Sequence, residues 1–206
     1  MTDRRPIASR DTGWARWLTR ALARRSVTPN QISIASMGFA TAAGLCLWLG
    51  AGAEGWLRIL LLLGAALCCQ LRLICNLMDG LVAVEAGKGT PDGAFWNEAP
   101  DRVSDMVILA GLGYGTGMPS LGWAAAAIAI LTAYIRELGR ATSGENDFCG
   151  PMAKPHRMAA VTLAAVIAAF WSAAPILQAA LWIIAIGGAV TVIRRSHRII
   201  SRLEQG

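Results

Sequence analysis

The sequence predicts an all-α integral membrane protein, with six transmembrane helices that follow an N-terminal amphipathic surface helix. Three observations support this fold class. Apolar residues make up 55% of the 206 residues, and the mean hydropathy of +0.47 is too high for a water-soluble domain of this size. Charged residues occur in clusters, and long uncharged stretches separate these clusters. The main clusters of Arg and Lys all fall on one side of the predicted spans.

Residues 1–29 are predicted to lie on the cytoplasmic membrane surface. They contain seven Arg residues, and a helix here would place most of these apart from an apolar face. That face consists of Trp14, Trp17, Leu18, Ala21 and Leu22. Asn30, which follows Pro29, is expected to cap the first spanning helix. An alternative interpretation is a basic arm that only follows the positive-inside rule.

Residues 30–206 are predicted to form the transmembrane domain. Residues 31–53 carry no charge and are long enough to cross a bilayer, which takes about 20 residues. Later apolar stretches are divided by GLGYGTGMPSLG and by the segment from Ser172 to Pro175, which predict turns between neighbouring spans. The six predicted spans lie near residues 31–52, 56–84, 93–115, 121–138, 155–173 and 176–194.

The distribution of basic residues predicts that both termini are cytoplasmic. Lys and Arg are frequent in residues 1–29, in 136–157 and after 193, whereas the turns near Pro119 and Ser172 contain none. The net charge of +6 therefore reflects topology and anionic lipid headgroups, and it gives no reason to expect nucleic acid as a partner. We expect a bacterial inner (cytoplasmic) membrane protein.

A polar stretch interrupts this apolar chain at residues 76–105, NLMDGLVAVEAGKGTPDGAFWNEAPDRVSD. Asn76 and Asp79 are three residues apart and share a helical face. In the next predicted helix Asn97 and Asp101 are four residues apart, on the same stripe as Gly93 and Asp105. Two helices that meet at a short loop would bring Asn76, Asp79, Asn97 and Asp101 together. Their hard oxygen atoms suit Mg²⁺ or Mn²⁺ and not zinc.

These residues resemble the signature of the CDP-alcohol phosphatidyltransferase family, D-x-x-D-G-x-x-A-R-(x8)-G-x-x-x-D-x-x-x-D. In this chain it stands as Asn76-x-x-Asp79-Gly80-x-x-Ala83-Val84, then eight residues, then Gly93-x-x-x-Asn97-x-x-x-Asp101. Every spacing matches. The six predicted spans, the surface helix and the TPN motif before the first span also resemble this family, so the resemblance covers nearly the whole chain.

The resemblance implies transfer of a phosphatidyl or other substituted phosphate group from a CDP-linked donor, such as CDP-diacylglycerol, to an alcohol, with release of CMP. It implies that Asp101 is the general base and that Asn76, Asp79, Asn97 and Asp101 hold the divalent metal, Mg²⁺ or Mn²⁺. Gly80, Ala83 and Gly93 would line the CDP pocket. The resemblance also implies a homodimer. A CDP-linked headgroup that is passed to diacylglycerol remains an alternative to a CDP-lipid donor.

Three positions depart from the signature: Asn76 and Asn97 replace aspartates, and Val84 replaces an arginine. With two carboxylates fewer, the site balances one divalent ion better than two. A catalytically silent relative that binds CDP-lipid or a partner enzyme is therefore an alternative function. In a second possible register, Asp101 and Asp105 are the last two aspartates of the signature.

Three basic residues are candidates for binding the phosphate of an acceptor or a lipid. Lys154 and Arg157 stand where members of the resembled family often have a Lys-rich phosphate motif, although both could be ordinary residues of the membrane boundary. Arg72 lies one turn before Asn76 in an apolar segment, where an unpaired charge is costly. It could reach a donor phosphate or a carboxylate, or pair with Glu137. Asp105 is expected to support the site or to pair with Arg102.

Overall fold

Helices account for most of the chain that the structure, a computed structural model, describes: residues 12–25, 27–85, 87, 91–144, 146–171 and 173–204. In chain order they are α1 Gly13–Arg24, α2 Pro29–Ala51, α3 Gly55–Glu85, α4 Gly93–Gly115, α5 Pro119–Ser143, α6 Lys154–Phe170 and α7 Ala173–Leu203. No strand occurs within these ranges, and the all-α prediction is confirmed. The predicted surface segment is described only from residue 12 onward.

The start of α2 is fixed by a capping box. The hydroxyl group of Thr28 accepts a hydrogen bond from the Gln31 amide at 3.2 Å, and the Gln31 side chain accepts one from the Thr28 amide at 3.0 Å. Pro29 therefore occupies the first helical turn, where its missing N–H costs nothing. The expectation that Asn30 caps this helix is wrong, because Asn30 instead donates to Asp92, before α4, at 3.2 Å.

Helix α1 packs against the C-terminal part of α3. Ala15 and Thr19 are buried there, and Ala15 belongs with Met78 to a small apolar cluster. The Thr19 hydroxyl lies 3.9 Å from the Met78 sulfur. Trp14 and Trp17, which the sequence predicted on the apolar face of α1, are exposed. They are therefore available to lipid, as an interfacial helix requires.

The other six helices form a closed ring of contacts in the order α2, α3, α6, α7, α5 and α4. Small residues set the closest spacing in this ring. A Cβ atom added to Gly111 of α4 would lie 2.3 Å from the carbonyl oxygen of Gly44 in α2, so only glycine fits. Large apolar side chains fill the interior, among them Leu47, Leu62, Ile108, Leu109, Leu112, Leu177, Leu181 and Ile184.

Four of the helices, α2, α3, α5 and α7, are long and apolar enough to cross a membrane. Helix α4 carries the polar residues of the signature in its first half, and α6 has 17 residues, about 25 Å. The helices follow the six predicted spans, but spanning by α4 and α6 remains a prediction. Helices α5 and α7 are longer than the predicted 121–138 and 176–194, because both continue beyond their apolar stretches into basic segments.

Candidate active site

Two serines of α2 hold the polar side chains at the end of α3. Ser33 donates a hydrogen bond to Oδ2 of Asp79 at 2.8 Å, and Ser36 donates to Oδ1 of Asn76 at 3.0 Å. Both serines are buried. Neither serine was among the residues predicted from the sequence, although their three-residue spacing equals that of Asn76 and Asp79 and could have indicated the facing pair.

The carboxylate of Asp101 in α4 is the meeting point of the site. Its Oδ1 accepts a hydrogen bond from Nδ2 of Asn76 at 2.8 Å and lies 3.4 Å from Nη2 of Arg72. Its Oδ2 pairs with the ammonium group of Lys154 at the start of α6. Asp101 is 8% exposed. Helices α3, α4 and α6 thus converge on one carboxylate.

Asp105, one turn further along α4, is buried between two guanidinium groups. Its Oδ1 lies 2.8 Å from Nη2 of Arg72, and its Oδ2 lies 2.6 Å from Nη2 of Arg157. Both carboxylate oxygens are therefore held by buried guanidinium groups, whereas Lys154, the charged partner of Asp101 Oδ2, is partly exposed. The second register of the signature, with Asp105 as a metal ligand, gains no support from this arrangement.

Two pairings that the sequence left as alternatives, Asp105 with Arg102 and Arg72 with Glu137, do not form among the described residues. Arg102 pairs with Glu98 of its own helix at 2.5 Å, since the two residues are one turn apart. Arg136 of α5 also reaches Glu98, at 2.7 Å, and Glu137 pairs with Arg136 at 2.7 Å. These residues form an ion-pair network at the surface, separate from the buried pairs of Asp105.

Of the three basic candidates, only Lys154 has an accessible side chain, 27% exposed. Arg72 is fully buried. It pairs with the carboxylates of Asp101 and Asp105, as one of its predicted alternatives proposed. Arg157 is 2% exposed and also donates to Thr132 and to the Met152 carbonyl oxygen. Lys154 is therefore the candidate best placed to contact a phosphate, while Arg72 and Arg157 lie beneath it.

The remaining predicted residues surround the same helix ends. Gly80 follows Asp79, and a Cβ atom added to it would have no heavy atom within 4 Å in the described part of the chain. Ala83 is half-buried on the next turn of α3, and Gly93 begins α4. Asn97 lies one turn before Asp101 and is exposed. The structure thus joins Asn76 directly to Asp101, with Asp79 one turn along α3 from Asn76. The exposed Asn97 is one turn from Asp101 along α4.

The residues present fit a hard divalent cation. Oδ1 of Asp79 is buried and has no hydrogen-bond partner within the described residues. An unsatisfied buried carboxylate oxygen is costly, and a metal ion would satisfy it. No group of three or more His, Cys, Asp or Glu side chains within the described ranges is arranged to hold a metal, so Asn76 would have to complete the ligand set.

The amino-acid sequence is similar to those of phosphatidylinositol phosphate synthases. No family model matches it. It is 27% identical over 195 residues to the phosphatidylinositol phosphate synthase of Mycolicibacterium smegmatis, an alignment that covers 90% of this chain and 83% of the relative. The expectation of an enzyme that transfers a phosphatidyl group in phospholipid biosynthesis is confirmed by such relatives.

Solved structures of a phosphatidylinositol phosphate synthase have a fold similar to that of this chain. The phosphatidylinositol phosphate synthase of Mycobacterium tuberculosis with CDP-DAG bound superposes with a TM-score of 0.73 at 23% identity, over 88% of this chain and 91% of that one. This chain has the phosphatidylinositol phosphate synthase fold. The complex of the M. tuberculosis synthase with manganese and citrate superposes with a TM-score of 0.74 at 23% identity, over 88% of this chain and 87% of the synthase chain.

Proposed function

We propose that this chain is an integral-membrane phosphotransferase that moves a phosphatidyl group from CDP-diacylglycerol to an alcohol and releases CMP. One observation carries the proposal: Asn76 of α3, one turn before Asp79, donates a hydrogen bond to Asp101 of α4, which also pairs with the Lys154 ammonium group. This is the constellation that the signature implies. The relatives named as phosphatidylinositol phosphate synthases, one of them solved with CDP-DAG bound, support the same donor.

In the proposed reaction Asp101 takes the proton of the attacking hydroxyl group. The alcohol oxygen forms a bond to the phosphatidyl phosphorus, and the bond from that phosphorus to the oxygen of CMP breaks. Lys154, which pairs with Asp101 in this structure, would release Asp101 and bind a phosphate oxygen of the substrate. Gly80 would allow the nucleotide to approach the backbone of α3.

We propose that Asp79 and Asp101 hold a single divalent cation, Mg²⁺ or Mn²⁺, with Asn76 and Asn97 as weaker neutral ligands. Such an ion would neutralise diphosphate oxygens and stabilise the charge that develops on departing CMP. The unpartnered oxygen of Asp79 supports this assignment. Anomalous scattering from Mn²⁺-soaked crystals tests it, and two fully occupied ions without nucleotide would contradict it.

The acceptor is proposed to be a phosphorylated alcohol. The product named for the relatives, phosphatidylinositol phosphate, carries a phosphate on its alcohol part. In this chain the accessible Lys154 is placed to contact such a phosphate. Replacing Lys154 with Met should lower kcat/KM about 10-fold or more, since a charge-assisted hydrogen bond is lost. Arg140→Met is the control, because Arg140 is 60% exposed on α5 and pairs only with Glu137 among described residues.

The function is tested with the full chain in lipid vesicles. CMP release is measured with CDP-diacylglycerol as donor, in the presence of Mn²⁺ or a chelator, and separately with a CDP-linked alcohol and diacylglycerol. We expect metal-dependent CMP release with CDP-diacylglycerol when a phosphorylated alcohol such as inositol phosphate is present as acceptor, and none from Asp101→Asn. Release with the CDP-alcohol alone would identify the reversed donor. Binding of CDP-diacylglycerol without release under any condition would identify the silent relative.

We further propose a bacterial inner membrane location, a cytoplasmic active site and a homodimer. The basic segments at both termini and between α5 and α6 support the orientation. Crosslinking in native membranes measures the oligomeric state, and a chain that crosslinks to no second copy would contradict the dimer.

A further inference from the structure

We infer that Asp105 is a positioning residue for the proposed reaction: it holds Arg72 in place, and Arg72 in turn orients the carboxylate of Asp101. The inference rests on the proposed function and extends it to a residue that does not contact substrate. The matching signature ends at Asp101, so Asp105 lies outside it.

The ion pairs that Asp105 forms with Arg72 and Arg157 are almost completely buried. The side chains of Arg72, Asp105 and Arg157 are 0%, 3% and 3% exposed, and they come from α3, α4 and α6. Charges that are this completely buried interact strongly with one another, and removing one partner leaves the other uncompensated. Asp105 is therefore needed to keep two guanidinium groups at fixed positions beneath the site.

One nitrogen atom of Arg72, Nη2, lies near both Asp105 and Asp101. Nη2 of Arg72 lies 2.8 Å from Oδ1 of Asp105, but 3.4 Å from Oδ1 of Asp101 and 3.3 Å from the Asp101 carbonyl oxygen. The nitrogen that contacts the proposed base is thus held mainly by Asp105. Without the charge of Asp105, Asp101 would be the remaining carboxylate for Arg72 among the described residues. The guanidinium group would then move toward it.

A shift of the Arg72 guanidinium group would change the contacts of the Asp101 carboxylate. Its Oδ1 already accepts a hydrogen bond from Asn76, and its Oδ2 pairs with Lys154. A tighter pair with Arg72 would occupy the oxygens that must accept a proton and contact the cation. Asp105 itself is 2% exposed and has a guanidinium group on each oxygen. It therefore acts through Arg72 and not on the substrate.

The first experiment replaces Asp105 with Asn in the full chain and measures CMP release from CDP-diacylglycerol. We expect kcat to fall about 10- to 100-fold, as for other residues that support a reacting group, while KM for the donor changes less than about threefold. Asp147→Asn is the matched control, because Asp147 is also buried and also pairs with two arginines, Arg198 and Arg202, in another part of the described chain. Its kcat should equal that of the wild type.

The second experiment tests the route through Arg72. Arg72→Met and the double variant Arg72→Met/Asp105→Asn should have the same kcat, because Asp105 has no further effect once Arg72 is gone. A merely structural Asp105 would lower kcat independently, so that the two losses multiply. Multiplying losses, or a wild-type kcat for Asp105→Asn, would overturn the inference.

Thermal unfolding of each variant separates loss of fold from loss of rate. If Asp105→Asn does not fold, the charge-balanced pair Asp105→Asn/Arg157→Gln replaces it, with the same expected loss of kcat and the same contradicting result. A wild-type chain that releases no CMP would instead overturn the proposed function, and this inference with it. The two failures are therefore distinguishable.

Discussion

At the scale of single residues, hydroxyl groups on α2 determine how the polar side chains of α3 are presented. The Ser33 hydroxyl group donates a hydrogen bond to Oδ2 of Asp79, and the other oxygen of this buried carboxylate has no hydrogen-bond partner among the described residues. Ser36 orients the amide of Asn76 so that its N–H group points to Asp101. The geometry of α3 at the site thus depends on its neighbour α2.

Ser33→Ala should lower the free energy of unfolding by about 1–3 kcal/mol, because it removes the buried hydroxyl donor of Oδ2 of Asp79. It should also weaken Mn²⁺ binding. Thermal unfolding and Mn²⁺ titration measure the two effects. Ser143→Ala is the control, since among the described residues Ser143 donates only to the Gly139 carbonyl oxygen of its own helix. An equal change in both variants would contradict the role of Ser33.

Spacing alone predicted Asn76, Asp79 and Asp101, because residues three or four apart share a helical face. It could not predict that Asp105 pairs with Arg72 and Arg157. Those partners lie 33 and 52 residues away, and a single sequence does not define which helices are neighbours. The same limit explains why Arg102 was expected to pair with Asp105, its neighbour on the same helix.

At the scale of elements, the contact between α2 and α4 brings Ser33, Ser36 and Asp101 within reach of α3. Gly111→Ala should destabilise the fold by about 1–3 kcal/mol, because its Cβ would lie 2.3 Å from the Gly44 carbonyl oxygen. Gly64→Ala is a matched change in α3, where the nearest atom, Sγ of Cys46, is 3.8 Å away. It should be neutral or stabilise by up to about 1 kcal/mol. Thermal unfolding compares them, and equal midpoints would contradict the close packing.

The segment between α5 and α6 depends on Asp147. Burial would raise the pKa of Asp147, but the hydrogen bond from the Cys149 amide and the charges of Arg198 and Arg202 outweigh burial and lower it. Because the folded pKa lies below the unfolded value of about 3.9, the ionised carboxylate stabilises the fold above that pH. This contribution is lost as the pH falls through the folded pKa.

Asp147→Asn should therefore make stability less sensitive to acid. Between about pH 6 and pH 3 the wild type should lose more of its thermal midpoint than the variant, which has no carboxylate to protonate there. Midpoints of both proteins in one detergent give the comparison. Identical losses would show that the Asp147 ion pairs do not contribute to stability.

The helices themselves were predicted closely, because Pro, Gly and charged residues mark their ends. The predicted spans near 31–52 and 93–115 correspond to Pro29–Ala51 and Gly93–Gly115. The prediction failed where a helix leaves the apolar region. Helix α7 continues to Leu203 through Arg194, Arg195, Arg198 and Arg202, since a drop in hydropathy marks the end of a span but not the end of a helix.

At the scale of the whole molecule, the ring of α2 to α7 and the basic segments predict that both termini face the cytoplasm. Alkaline phosphatase, which is active only outside the cytoplasm, should be inactive when fused after the described C-terminal residue, Glu204. It should be active when fused after Gly117, in the turn between α4 and α5. Active phosphatase at the C-terminus would contradict six spans with this orientation.

The packing of Thr19 on Met78 also links the proposed active site to the lipid around α1. Helix α1 presents Trp14 and Trp17 outward while its other side covers the turn of α3 next to Asp79. Changes in headgroup charge or lateral pressure that shift α1 would therefore reach that turn. Turnover measured in detergent micelles should for this reason differ from turnover in anionic vesicles, even at equal substrate concentration.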